Sequence, residues 1–276
     1  MELRKVLIEN KINVVWFKRD LRVSDNLSLS LASIGGVVLP IYIFETELWK
    51  QPDLSYRHYV FLKKALNDLD LQLRDLGAQL IVLVGNAIDI FSRLNADYKI
   101  NTIFSHEETW NLWTYKRDNE VKSWARTNQV KWIETPRNGV VRNLDDRDKW
   151  SRRWYASMSA PIIQVPTKIS TIQISSDNIP SPVYLNLSTE QSISNQSATR
   201  AAAIDTLNSF LNSRGRKYSF EMSSPITAGK SCSRISPYLA FGQISVREAF
   251  QITERRLTEI RGVDTVYSKS LKSFLS

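Results

Sequence analysis

Five short apolar runs, at residues 13–17, 37–44, 79–85, 100–106 and 131–136, alternate with helical patterns over the first half of the chain. Such alternation builds a parallel sheet, because strands that run the same way need a crossover between them, usually a helix. The first run, Asn-Val-Val-Trp-Phe, shows no polar alternation, as expected of a strand buried on both faces. The clearest helix spans 56–76, where Leu62, Leu66, Leu69, Leu73 and Leu76 recur at spacings of four and three and Lys63, Lys64, Asp68, Asp70 and Arg74 fill polar positions. Gly77 is placed to end it. Shorter patterns at 87–94, capped by Asn86, and at 109–127 complete an α/β domain over residues 1–136. The expected fold is a Rossmann-like, doubly wound, parallel five-stranded sheet.

The character of the chain changes abruptly after Phe17. Lys18, Arg19, Asp20 and Arg22 follow the first strand's carboxyl end, the edge at which open parallel sheets bind ligands. Ser24, Asp25 and Asn26 then offer caps for a helix through Leu31. The turn holds no glycine, so a phosphate loop or dinucleotide fingerprint is not supported. From the residues alone, a solvated charged loop is the plainer account. Residues 105–118, Ser-His-Glu-Glu-Thr-Trp-Asn-Leu-Trp-Thr-Tyr-Lys-Arg-Asp, set an imidazole, two carboxylates and several aromatics at another strand's end. That suits a pocket for a flat pigment, and equally an aromatic helix packed on the sheet.

Residues 137–154 interleave arginines with tryptophans, as nucleic-acid contacts do, but their aspartates fit a salt-bridged face as well. From 167 to 199 the chain is rich in Ser, Thr, Asn and Gln, with Pro180 and Pro182, and residues 137–199 read as an interdomain linker. Helix returns at 200–212, with Ala203, Ile204, Leu207, Phe210 and Leu211 on one face, opening a second, helical domain over 200–276. Arg216, Tyr218 and Met222 precede the tract Ser-Cys-Ser-Arg-Ile-Ser-Pro-Tyr-Leu-Ala-Phe-Gly-Gln-Ile-Ser at 231–245. Hydroxyls beside Arg234, ahead of a helix beginning near Ser236 and Pro237, can hold a phosphate; an ordinary Ser-Pro helix cap reads the same. Another amphipathic helix covers 246–260.

These tracts together resemble the photolyase and cryptochrome family. Val-Val-Trp-Phe-Lys-Arg-Asp-Leu-Arg-Val-Ser-Asp-Asn at 14–26 is similar to the opening motif of that family's α/β domain. The resemblance implies that this domain carries a light-harvesting antenna pigment and that the Arg-Asp-Leu-Arg turn holds it together. The tract at 231–245 is similar to the family's flavin signature, a Thr-Ser-Arg-Leu-Ser core followed by Pro-Tyr-Leu and Gly-x-Ile-Ser. That match implies FAD phosphate contacts at Cys232, Ser233, Arg234, Ile235 and Ser236, with Tyr218 as the upstream phosphate-binding tyrosine. Cys232 stands where the family has Thr and is the weaker donor, and the gap from Tyr218 is slightly longer. Folate-binding members carry an Asn-Glu pair shortly before the Arg-Asp matched to Arg117 and Asp118. Here Trp113 and Thr114 occupy that place, so another antenna pigment, or none, is expected in place of folate.

The function implied by resemblance is blue-light-driven, FAD-dependent repair of pyrimidine dimers in DNA. The flavin would do the chemistry, so no catalytic side chain and no metal is assigned. A cryptochrome-like photoreceptor shares every motif, and a non-catalytic α/β pigment- or nucleotide-binding fragment is a third reading. The family's later helices, which meet the lesion and hold the flavin ring, have no counterpart in the 276 residues. A truncated helical domain that exposes apolar surface, weak or absent FAD binding and a complementing C-terminal chain are therefore expected, with a monomer otherwise.

The net charge of +9 favours a polyanionic partner such as DNA. The single cysteine, Cys232, allows no internal disulfide, and with only His58 and His106 available no zinc cluster is expected. The opening Met-Glu-Leu-Arg-Lys does not suit a signal peptide, and no stretch reaches the roughly 20 apolar residues of a membrane span. A reducing, cytoplasmic setting is expected.

Overall fold

The computed structural model describes residues 11–142, 144, 146–189 and 196–276. The opening residues 1–5, positions 143 and 145 of the basic tract, and 190–195 of the expected linker lie outside the described residues. Strands β1 (Ile12–Phe17), β2 (Val37–Phe44), β3 (Ile81–Val84), β4 (Ile100–His106) and β5 (Lys131–Thr135) form one sheet in the order β3-β2-β1-β4-β5. Every pairing is parallel. Helices α1 (Leu27–Ser33), α2 (Thr46–Trp49), α3 (Tyr56–Asp75), α4 (Ala87–Tyr98) and α5 (Leu112–Thr127) lie along the connections. The doubly wound α/β sheet expected from the alternation is present. Its strand order reverses between β1 and β4, which opens a crevice at their carboxyl ends.

β1 lies at the centre of the sheet and is buried along its whole length, which is why it carries no polar alternation. Val14 sits opposite Leu39 on one side and Ile103 on the other. Trp16 meets Phe91 of α4 edge to face at 5.1 Å. The α3 stripe is buried at Leu62, Leu66, Leu69 and Leu73, and Gly77, at φ +86°, donates to the Arg74 carbonyl and turns the chain out of the helix. Two helices differ most from the expected bounds. α4 runs on past residue 94 to Tyr98 and closes on Lys99, a left-handed residue whose N–H bonds the Asn95 carbonyl; Asn95 and Asp97 hide that extra turn because neither favours a helix interior. α5 begins at 112 instead of 109, because the Asn111 side chain caps it by accepting from the Thr114 N–H.

The chain divides into two compact units, Met1–Arg137 with Ile163–Asn195, and Asn138–Ile162 with Gln196–Ser276. Within the first unit the polar segment after 163 runs over the sheet. The Ile169 N–H donates to Leu76 O at 2.8 Å and the Val38 N–H to Ser170 O at 2.8 Å. At the outer strand β3, Ser176 Oγ accepts from the Val82 N–H and Asp177 Oδ2 from the Val84 N–H, so the edge groups of β3 are paired.

The second unit is helical, with α6 (Trp150–Ser159), α7 (Arg200–Asn212), a 3₁₀ turn (Arg214–Lys217), α8 (Tyr218–Glu221), α9 (Ala228–Ser231), α10 (Ser236–Phe241), α11 (Val246–Ile260) and α12 (Thr265–Leu275). Leu207 and Phe210 of α7 and Leu271 of α12 are fully buried, and the Phe210 and Phe274 rings lie 4.8 Å apart. Arg200 pairs with Glu248, whose carboxylate also closes a capping box with Ser245. Gln251 of α11 donates to the Met158 and Ala160 carbonyls at 2.8 and 2.7 Å, tying α6 to α11. Phe220, Ile226 and Val263 remain exposed. Among the described residues no helix is long and apolar enough to cross a membrane.

Gly139 passes directly under the Trp154 indole at φ +75°, and a Cβ there would sit 2.6 Å from Trp154 Cδ1. Gly139→Ala combines left-handed strain with that clash and is expected to destabilise the second unit by about 1–3 kcal/mol. Thermal melts followed by tryptophan fluorescence would read the loss; an unchanged midpoint would show that Trp154 moves aside freely.

Candidate functional site

Two places gather polar groups, one in each unit. In the first, the residues after β1 are buried and not solvated. Lys18, Asp20 and Arg22 are 6%, 3% and 4% exposed, which overturns the reading of a solvated loop. A buried charge persists only where partners compensate it; Asp20 accepts from the Lys18 N–H at 3.1 Å and Arg22 donates to the Asp25 carbonyl at 2.9 Å. Lys18 Nζ lies 3.4 Å from Asp118 Oδ2. Burial pulls the lysine below its ordinary pKa, against the pull of Asp118. Arg19 makes a forked contact with Glu108 Oε1 through Nε and Nη2 at 3.1 and 2.5 Å, and its guanidinium lies 4.8 Å over Trp110. Burial alone would raise Glu108, but His106, Arg19 and Lys18 together hold it below the usual carboxylate range.

The Arg19 N–H donates to His106 Nε2 at 3.0 Å, which leaves the proton on Nδ1, bonded to Glu107 O at 2.7 Å. Burial holds His106 down at about 4, so the ring is neutral near pH 7. Arg117 is enclosed by Trp16 and Trp113, with ring centroids at 4.6 and 5.7 Å, while Nη1 bonds Glu45 Oε2 and Nε bonds Asp118 Oδ1 at 2.8 Å. Burial pushes the Glu45 carboxyl up, against Arg117. This network ties β1, β2, β4 and α5 together at the carboxyl edge. Beside it, a cleft of about 250 Å³ is lined by Glu45, Thr46, Gly85, Asn86, Trp113 and Arg117. Of the pair standing where folate-binding proteins have Asn-Glu, Trp113 faces this cleft. Thr114 is 1% exposed, and its Oγ1 donates to the Asn111 carbonyl at 2.8 Å.

The second place is the loop leading into α10. Cys232 ends α9, its N–H bonded to Ala228 O at 2.8 Å. Arg234 has φ +60°, and Ile235 follows at φ −88°, ψ −5°. A left-handed residue before a right-handed one turns the N–H groups of Arg234, Ile235 and Ser236 to one side, the arrangement of an anion-binding nest. Among the described residues, the N–H groups of Ser233, Arg234 and Ile235 donate to no protein group. Arg234 and Ser236 are exposed and Ser233 is half-buried. Ile235 is 2% exposed, so its side chain anchors the loop and leaves only its backbone for a ligand.

Tyr218 heads α8, held edge-on between Phe210 at 5.5 Å and Phe274 at 6.0 Å. Burial, and then Cys232, raise its pKa. The loop carries Cys232 to Ser236 in one continuous turn, while the ring contacts of Tyr218 are to Phe210 and Phe274. The loop offers backbone amides, two hydroxyls and a guanidinium, donors that can hold an anion. Arg214, absent from the sequence expectations, also reaches this loop; in the run Arg-Gly-Arg-Lys nothing marks it apart from solvated surface charge.

The sequence pattern of the DNA photolyase family matches residues 13–155, just over half of the 276. The chain belongs to the DNA photolyase family. It is similar to Cryptochrome-1 of Anopheles gambiae, with 32% identity over 131 residues, covering 44% of this chain and 24% of that protein. In fold, this photolyase-family chain is similar to a bacterial class III photolyase from Agrobacterium tumefaciens, at TM-score 0.76 and 19% identity, over 97% of this chain and 57% of the other. It is also similar to an archaeal photolyase from Sulfolobus tokodaii solved with two FAD molecules, at TM-score 0.64 and 22% identity, over 92% of this chain and 58% of the other. The chain spans between about a quarter and three fifths of the length of these relatives.

Proposed function

We propose that this photolyase-family chain is a flavoprotein whose second unit holds the phosphate groups of FAD at residues 232–236, and that its substrate class is DNA containing pyrimidine dimers. The observation that carries the reading is the set of amides at Ser233, Arg234 and Ile235 that meet no protein acceptor among the described residues, in a loop where Arg234 is left-handed and exposed. Those donors fit a diphosphate. Ser233 and Ser236 add hydroxyl donors, and Tyr218 is the upstream phosphate-binding tyrosine of this reading. FAD, when bound, supplies light-driven electron donation to the lesion; the chain's own residues bind and orient it. In this reading residues 1–136 are the antenna-type α/β domain, 137–199 connect, and 200–276 belong to the helical flavin domain. Any antenna pigment belongs in the cleft beside Trp113. A net charge of +9 supports a DNA partner.

The visible spectrum of the purified chain, with FAD titration, is the first test. Arg234→Ala is expected to weaken FAD binding about tenfold, the effect of removing one charge-assisted phosphate contact. Unchanged affinity would remove Arg234 from the site, and a parent chain that binds no FAD would overturn the reading. The likeness to Cryptochrome-1 favours a second reading, a blue-light photoreceptor that uses the same flavin site. Preferential binding of an oligonucleotide carrying a thymine dimer, followed by its repair under blue light, supports the first reading, and equal binding of damaged and undamaged strands supports the second.

A further inference from the structure

We propose that Arg214 is a positioning residue for this site: it never touches the anion, but it fixes the direction of the amides that do. The inference rests on the flavin-phosphate reading of the same loop. Arg214 lies in the 3₁₀ turn directly after α7, and its guanidinium spends its donors on backbone and hydroxyl acceptors. Nη1 donates to Cys232 O at 2.6 Å and Nη2 to Ser233 O at 3.1 Å, while Nη2 also reaches Thr206 O at 3.0 Å and Nε reaches Ser209 Oγ at 2.9 Å. The next carbonyl, Arg234 O, accepts from Gln196 Nε2 at 2.9 Å. Three consecutive carbonyls are therefore held by side chains.

In a trans peptide the C=O and N–H of one unit point in opposite directions. Tying the carbonyls of 232, 233 and 234 thus turns the N–H groups of 233, 234 and 235 the other way, and these are the amides without a protein acceptor. The clamp also accounts for Arg234 at φ +60°. A non-glycine residue in that region is costly and persists where its surroundings enforce it. The peptide units on either side of Arg234 are held through the Ser233 carbonyl by Arg214, itself fixed to α7 through Thr206 and Ser209, and through the Arg234 carbonyl by Gln196, and together they provide that enforcement. The short turn that brings Arg214 into place depends on Gly215, where a Cβ would lie 2.7 Å from Phe210 O.

The test compares the parent chain with Arg214→Ala and Arg214→Lys by FAD titration and by residue-resolved amide hydrogen exchange. Arg214→Ala is expected to weaken FAD binding about tenfold or more and to speed exchange at 233–235, while the amides of α7 and α11 keep their protection. Arg214→Lys, which keeps the charge but grips a single carbonyl, should fall between the two. FAD affinity within twofold of the parent overturns the proposal, as does faster exchange spread through α7 and α11, which would make Arg214 only a fold residue. A parent chain that binds no FAD removes the flavin reading and leaves the clamp to be decided by exchange alone: a local rise at 233–235 upholds it, and no change overturns it.

Discussion

Arg117→Ala should destabilise the first unit by about 3–5 kcal/mol, on the order of 10 °C in Tm, because it breaks a buried ionic cluster on one side only. The guanidinium is 6% exposed and serves two carboxylates, Glu45 and Asp118, that are themselves 4% and 6% exposed. Burial opposes its charge, yet Glu45 and Asp118 more than offset that and raise its pKa. Removing it strands Glu45, which burial already pushes toward protonation and whose Oε1 has no hydrogen-bond partner. It also takes the cation from between Trp16 and Trp113. The asymmetry is the informative part: Glu45→Leu with Arg117→Met, which removes both charges and keeps the volume, should recover most of the loss. Chemical denaturation of the two variants measures this. A single-variant loss under about 1 kcal/mol would mean that water enters and solvates Glu45, and that the network does not hold the sheet edge together.

Strands were the most legible feature of this sequence, and the physical reason is β1. A central parallel strand buried on both faces must be apolar throughout, so residues 13–17 announce themselves whatever surrounds them. Helix ends were less legible. Lys99 ends α4 in a left-handed conformation without a glycine, and no local rule marks that position. The charged turn is opaque to local pattern for the same reason, and its burial agrees only with the structural role that the resemblance implies. Whether Lys18 and Asp20 face water depends on Asp118 and His106, about a hundred and about ninety residues later, and long-range partners leave no trace in a local pattern.

In the second unit, the sequence singled out the tract at 231–245 but not the group that shapes it. Ser-Cys-Ser-Arg-Ile-Ser advertises hydroxyls and a cation. What makes the loop a candidate cradle is the direction of its amides, and that is set by Arg214 and Gln196 from outside the tract. Ile235 makes the converse point. It falls within the expected phosphate-contacting run, yet its side chain is core, and only backbone geometry leaves it a role.

The second large effect is on pH. His106 is neutral and buried at the carboxyl end of β4, its Nε2 accepting from the Arg19 N–H and its Nδ1–H donating to the Glu107 carbonyl. The first bond requires the neutral ring, because a protonated Nε2 has no lone pair to accept with. Its folded pKa is held down at about 4 against an ordinary 6.5, so the unfolded chain takes up a proton first as pH falls. The stabilisation is therefore complete above about pH 6.5 and is lost progressively between 6.5 and 4, amounting to about 3 kcal/mol from the size of that gap. Glu108, also held low, adds a loss of the same sign further into the acid range. Denaturation midpoints from pH 8 to 4 should fall along this limb, and His106→Gln, which can keep an acceptor toward Arg19 but cannot titrate, should flatten it while lowering stability at pH 7. An acid limb of the same slope in the variant would move the titration elsewhere and leave His106 a purely geometric part, because only a group that changes protonation between the folded and unfolded chain can tilt stability with pH.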